Sequence, residues 1–253
     1  MKFLKRQSIA YVFIGPAIIL CMLLMLYPMI LVVWNSFFSN YIVDPSPKWV
    51  GFQHYIRIFT KKDVFRIAFS NTVIFTISSV ALHLVIGLAF ALLLNYPINR
   101  YAQSFFRVLF ILPWIFTVAI VAIIWRLLLN PLGIINYILF GLGFIEEELI
   151  WFGSKQHALP ALILVSAWRG YPFIMVSFLA GLKGIPEILY EAATMDGANS
   201  LQKFLYITIP QMKPIILSIG MLDIIWSYRV FEFVWLTTGG GPGQATETLG
   251  TYT

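Results

Sequence analysis

Five stretches of this chain are too long and too apolar for anything but a membrane protein, and they fix most of what it can fold into. They cover residues 9–37, 69–94, 105–129, 158–182 and 215–236. A helix rises 1.5 Å per residue, so about 20 apolar residues cross a hydrocarbon core of roughly 30 Å. In lipid the backbone must satisfy its own hydrogen bonds, which makes each stretch a helix. The expected fold class is all-α, a polytopic membrane helical bundle of five spans forming one transmembrane domain over 1–253. Composition agrees: 11% of residues are charged, less than half the roughly 25% of soluble domains.

The N-terminal Lys2, Lys5 and Arg6 look like the start of a signal peptide. The apolar run behind them is too long for one and lacks a small-residue cleavage site, so an uncleaved first span is expected. Cys21, the single cysteine, lies inside that run, leaving no disulfide framework and no cysteine metal cluster. The net charge of +6 is scattered between spans, with no basic stripe interleaved with aromatics. It reads as topology, with no nucleic-acid partner. With the N-terminus inside, Lys2, Lys5, Arg6, Arg100, Arg107, Lys183, Lys203 and Lys213 are cytoplasmic. Lys48, Arg57, Lys61, Lys62, Arg66 and Lys155 are then outside, together with Glu146, Glu147 and Glu148.

Between the first two spans, Asp44-Pro45 through Tyr55 reads as a turn followed by a short amphipathic piece through Tyr55, Ile56 and Phe59 at the membrane interface. The segment 130–157 reads similarly, with Trp151 as an interface anchor. Pro28 and Pro113 are expected to kink their helices. Gly170-Tyr171-Pro172 is expected to break or kink the fourth span near its middle, exposing backbone groups to a cavity.

Several charges fall inside spans, where an unpaired one costs several kcal/mol. Arg229 and Glu232 are three apart and can neutralise each other, and Asp223 is placed to reach Arg169 on the neighbouring helix. Trp168, Tyr171, Trp226 and Tyr228 flank them. Two readings stand: a polar path for a hydroxyl-rich solute, with aromatic faces stacking on it, or ion pairs and packing that fix the bundle. His83 in the second span is either a proton relay or a hydrogen-bonded bundle histidine.

The polar stretch 183–214 differs from the rest. Pro186 suits a first helical position, Glu187 suits a positive helix end, and Gly197 suits a terminator. A helix over 186–195 would carry Ile188, Leu189, Ala192 and Ala193 on one flat side. A second helix would run over 198–208, stopped by Pro210 and Pro214. The pattern Glu191-Ala192-Ala193, three residues, Gly197, nine residues, Ile207-Thr208-Ile209-Pro210 resembles the cytoplasmic signature loop of permease subunits of binding-protein-dependent ABC importers. Asp196-Gly197-Ala198 resembles the carbohydrate-uptake group, and so does the loop Gly239-Gly240-Gly241-Pro242. The resemblance covers essentially the whole chain, from Ile14-Gly15-Pro16 onward.

That resemblance implies an ATPase-coupling role for Glu191, Ala192, Ala193, Asp196, Gly197, Ile207 and Pro210. It implies a sugar or polyol pathway along Trp168, Arg169, Tyr171, Asp223, Trp226, Arg229 and Glu232. It further implies a second permease subunit, a dimer of ATP-binding subunits, an extracytoplasmic solute-binding protein, surrounding membrane lipid, and the cytoplasmic membrane of a bacterium or archaeon. Ile209 stands where Leu is usual. Family members also continue into a sixth span, which these five runs do not supply, so a truncated chain or a helix supplied elsewhere is expected. No Gly-rich phosphate loop, metal spacing or catalytic constellation occurs. The chain is expected to be non-catalytic, with ATP and Mg on the partner ATPase. An ion-coupled secondary transporter or channel using His83, Asp223 and Arg229 is the alternative.

Overall fold

The structure is a computed structural model that describes residues 13–39, 46–61, 63–96 and 99–253. The Lys2, Lys5 and Arg6 cluster, the start of the first apolar run and Asp44-Pro45 lie outside the described residues. The chain divides into two units, 1–63 and 64–253.

In the first unit, helix α1 (Phe13–Asn35) has no buried residue. One π turn, Met22–Leu26, interrupts it just before Pro28. A proline ring collides with the carbonyl four residues back, here Leu24 inside the wider π turn. The change of winding thus sits where the expected kink at Pro28 would fall. After α1, Phe38 bridges to Trp49, and Phe37 stacks on Trp49 at 5.4 Å between ring centroids. Helix α2 (Gln53–Lys61) follows, with Ile56 and Phe59 exposed and Tyr55 bonded to Ser36 Oγ at 2.6 Å. The amphipathic helix expected before the second span is present, preceded by a turn at Gly51-Phe52.

The second unit is built on α3 (Asp63–Asn95) and α7 (Ala158–Lys183). One stripe of α3 is buried: Ala68, Thr72, Phe75 and Thr76, Ser79 and Val80, His83, Gly87, Ala91 and Leu94. Steps of three and four keep these residues on one helical face. The third apolar run is not one straight helix. It forms α4 (Arg100–Ile115) and α5 (Val118–Leu128), bent by 97° at Phe116-Thr117. Phe116 is extended there, and Thr117 caps the new helix by accepting from Ile120 N at 3.4 Å. A short helix α6 (Ile134–Gly141) follows. Asn136 ties its base to Pro131 O, Leu149 O and Trp151 Nε1 at 2.7–2.9 Å.

Helix α7 runs through Gly170-Tyr171-Pro172 as one helix, so of the break or kink expected there the break does not occur. Proline in a packed membrane helix sacrifices one backbone bond while neighbouring helices hold the segment, and Pro172 is buried. After α8 (Glu187–Met195), a continuous helix α9 runs Ser200–Tyr228. Pro210 and Pro214 therefore do not stop the second helix of the polar segment. A π turn at Phe204–Thr208 again precedes the proline, so the carbonyl opposite Pro210, that of Tyr206, lies in a widened turn.

The last apolar run ends early as a helix. α9 stops at Tyr228, and α10 (Phe231–Thr237) packs against α5. A glycine-rich loop then returns to α3. Asn71 Nδ2 donates to Gln244 O, Ala245 O and Glu247 O at 3.0–3.2 Å. Leu249 N, opening α11 (Leu249–Tyr252), donates to Thr72 Oγ1 at 2.9 Å.

Two apolar clusters hold this unit. One gathers Ala91, Leu94, Tyr171, Ile174, Met175, Phe178, Leu182 and Met212. The other gathers Phe75, Val121, Leu129, Leu162, Val165, Phe233 and Val234. Along α7 they are separated by the stretch 166–170, where the polar groups collect.

Candidate functional site

The segment after α7 is shaped by the way α8 ends. Gly197 adopts φ +81°, a left-handed conformation that glycine enters without a Cβ penalty. Ala198 N donates to Ala193 O at 2.9 Å and Gly197 N to Thr194 O at 3.0 Å. These are the paired bonds of a Schellman ending, in which the third-last helical residue meets the second residue past the cap. Those two positions are Ala193 and Ala198, both half-buried. The spacing from Ala193 through Gly197 to Ala198 is therefore a helix terminator with its small apolar contact built in. Asn199 and Gln202 then form a reciprocal capping box that starts α9 at once.

The four residues expected on one face of α8 split between two. Leu189 and Ala193 turn inward, while Ile188, Ala192 and Met195 face out at steps of four and three, Ile188 being 65% and Met195 87% exposed. Glu191, Asp196 and Gly197 are exposed beside them, Ile207 is half-buried, and Pro210 is exposed on α9. Two side-chain bonds lock α8 to the start of α9. Tyr190 OH lies 2.9 Å from Thr208 Oγ1, and Lys203 Nζ donates to Thr194 Oγ1 at 2.7 Å.

Midway along α7 a second constellation lies between the two apolar clusters. His83 of α3 contacts Asp223 Oδ2 of α9 through Nδ1 at 2.8 Å, and Ser166 O of α7 through Nε2 at 2.9 Å. One imidazole thus joins three helices. Gly170 makes the contact possible, because a Cβ there would overlap the His83 ring. Beside the histidine is a cavity of about 110 Å³ whose lining includes His83, Ser166, Arg169, Asp223, Trp226 and Ser227 together with Trp114 and Phe173. That volume falls below the ~300 Å³ at which small-molecule sites begin.

Of the residues expected to line a solute path, the structure brings Arg169, Asp223 and Trp226 together. Trp168 packs on Trp125 at 5.5 Å, and Tyr171 on Phe90 at 5.0 Å within the apolar cluster. Arg229 is exposed and joins Tyr228 in a separate hollow. Asp223 pairs with His83 instead of Arg169. Arg229 and Glu232 form no ion pair among the described residues, because the break at Arg229-Val230 removes their helical spacing. Glu232 instead acts on Arg169 through its charge.

Ser166, Phe173, Ser227 and Val230 were not anticipated. Yet Ser166, Arg169, Gly170 and Phe173, like Asp223, Trp226, Ser227 and Val230, repeat at steps of three, one and three. That spacing marks one face of α7 and, as far as Ser227, one face of α9, with Val230 just past its end.

A family model described as "Binding-protein-dependent transport system inner membrane component" matches residues 83–253. The trehalose/maltose transport system permease protein MalF of Thermococcus litoralis is 32% identical over 246 residues, covering 97% of this chain and 82% of that protein. The sulfoquinovosyl glycerol transport system permease protein SmoG of Agrobacterium fabrum is 35% identical over 251 residues, covering 98% and 80%. The fold is similar to that of a chain in a bacterial ABC transporter involved in the import of the acidic polysaccharide alginate, with a TM-score of 0.82 at 24% identity, covering 99% of this chain and 84% of that one. A bacterial alginate ABC transporter in complex with alginate pentasaccharide-bound periplasmic protein gives the same score at 23% identity, with 99% and 83% covered.

Proposed function

The chain belongs to the family of binding-protein-dependent transport system inner membrane components, and from that premise we propose that it is a permease subunit of a sugar-importing ABC transporter. The permease proteins it resembles carry transport names for trehalose/maltose and sulfoquinovosyl glycerol. It sits in the cytoplasmic membrane of a bacterium or archaeon with its N-terminus inside and pairs with a second permease subunit. A dimer of ATP-binding subunits, holding the ATP and Mg, drives it from the cytoplasmic side, and an extracytoplasmic binding protein delivers the solute. The chain itself is non-catalytic.

One observation carries the coupling part of this reading. The exposed face of α8, with Ile188, Ala192 and Met195, is bonded through Tyr190 and Thr208 to the base of the membrane-crossing helix α9. A push on α8 from an ATPase is therefore delivered to the helix that carries Asp223 and Trp226. Glu191, Ala192, Ala193, Asp196 and Gly197 form the docking element, with Ile207 and Pro210 at its junction with α9. The solute path runs past Arg169, Asp223 and Trp226.

The test is purification from native membranes followed by reconstitution into vesicles. An ATPase and a solute-binding protein should co-purify, and uptake should require ATP and the binding protein while ignoring protonophores. Uptake that follows the proton gradient and survives ATP depletion would instead establish an ion-coupled carrier.

A further inference from the structure

Arg169 is the charged group in the polar site that no hydrogen bond engages. Among the described residues its guanidinium donates to no acceptor, and its Nε is fully enclosed without a partner. Asp223, which lines the same cavity, has its Oδ2 held by His83 at 2.8 Å, and His83 is anchored to Ser166 O on its other side. Glu232 contributes its field but makes no ion pair with Arg169 among the described residues. A guanidinium at mid-span without an acceptor is an expensive arrangement in a membrane, and intramembrane cations of this kind mark solute pathways. It offers five donors in a rigid planar fork that matches carboxylate, sulfonate or phosphate oxygens in pairs.

The cavity beside Arg169, of about 110 Å³, has room for a charged substituent of a solute. Phe173 lies 5.8 Å from Trp114 and 5.0 Å from Trp226 between ring centroids. These rings form an apolar wall along which a pyranose can lie while its substituent reaches inward.

Resting on the sugar-importer reading, we propose that Arg169 determines specificity by binding an anionic substituent of the transported saccharide, a carboxylate or a sulfonate. His83 is the positioning residue of this device. It holds Asp223 Oδ2 at 2.8 Å on the wall of the same cavity.

The test uses the whole transporter, this chain with its permease and ATPase partners, in nucleotide-free nanodiscs. The probes are a uronate tetrasaccharide, its carboxyl-reduced neutral counterpart and a sulfonated analogue, with binding read from tryptophan fluorescence without the binding protein. The wild type should favour the anionic probes at least tenfold in Kd. Arg169→Gln should abolish that ratio and Arg169→Lys should keep part of it, each variant first shown to assemble with its ATPase subunits. If Arg169→Gln fails to assemble, Arg169→Lys must still lower the ratio. A wild-type protein without charge preference, or variants that keep the full ratio, would overturn the assignment. If in that event the ATPase still responds to the binding protein, the sugar-importer reading survives and only the role of Arg169 falls. If none of the three probes binds and that response is also absent, both fall. A preference for only one of the two anions would assign the substituent.

Discussion

His83 Nδ1 lies 2.8 Å from Asp223 Oδ2 in the middle of the bundle, while Nε2 of the same ring contacts the Ser166 carbonyl. The pair links α3 to α9 and, through the backbone, to α7. Two magnitudes compete when it is broken. An average interhelical hydrogen bond in a membrane contributes only about 0.6 kcal/mol, whereas a lone acidic group at a helix centre costs about 2.5–3.5 kcal/mol. The second dominates. His83→Leu should therefore destabilise the purified protein by about 2–3 kcal/mol in denaturant titrations, and His83→Leu/Asp223→Leu should recover most of the loss. Additive losses in that double-mutant cycle would show that the pair is not coupled.

Gly170 makes a sharper probe of the same junction. An added methyl would collide with the imidazole, whereas one at Gly220 meets only Leu84 Cδ1 at 3.8 Å. Gly170→Ala should lower the Tm of the detergent-solubilised protein by several degrees, and Gly220→Ala should leave it within a degree or so. Cost follows the rigidity of the displaced neighbour, and His83 is fixed at both ring nitrogens. Equal Tm values for the two variants would mean that the ring has room to move.

How much of this was legible in the sequence depends on which force sets each feature. Hydrophobic length located the apolar runs, because bilayer thickness admits little else, but not the 97° bend inside the third or the early end of the last. The terminator at Gly197 was legible for the same reason, since a positive φ selects glycine locally. The prolines misled. Pro172 lies inside an unbroken α7, and Pro210 is accommodated by the π turn at Phe204–Thr208, a change of winding with no residue signature of its own. Charge pairing was also out of reach. Whether Asp223 meets Arg169 or His83 depends on the rotation of α3 against α9 and on the gap left by Gly170, neither of which is written in the spacing of one helix.

Gly197 separates helix termination from docking. At φ +81° alanine pays about 1–2 kcal/mol for the left-handed conformation, while asparagine and aspartate enter it more readily. Gly197→Asn should keep the ending of α8 and much of the uptake. Gly197→Asp and Glu191→Lys should abolish uptake, by altering charge on the exposed face, while the chain stays in the membrane. Initial uptake rates in vesicles, set against the amount of chain in the membrane fraction, provide the check. Normal uptake in both charge variants would remove the docking assignment.

The bond between Tyr190 OH and Thr208 Oγ1 at 2.9 Å makes a prediction about coupling that differs from one about folding. A neutral hydrogen bond contributes about 1 kcal/mol, so Tyr190→Phe should leave the melting curve nearly unchanged. Its effect should fall on the transfer of motion from α8 to α9, because the remaining polar tie, Lys203 to Thr194, ends on the short helical turn ahead of the π turn and not beyond it. The expected result is ATP hydrolysis near the wild-type rate with two- to fivefold fewer solutes moved per ATP. Thr208→Val should reproduce it, and the double variant should add nothing, since each removes the same bond. Uptake and phosphate release measured in the same vesicles give the ratio directly. An unchanged ratio in Tyr190→Phe would show that α8 drives α9 through its backbone alone.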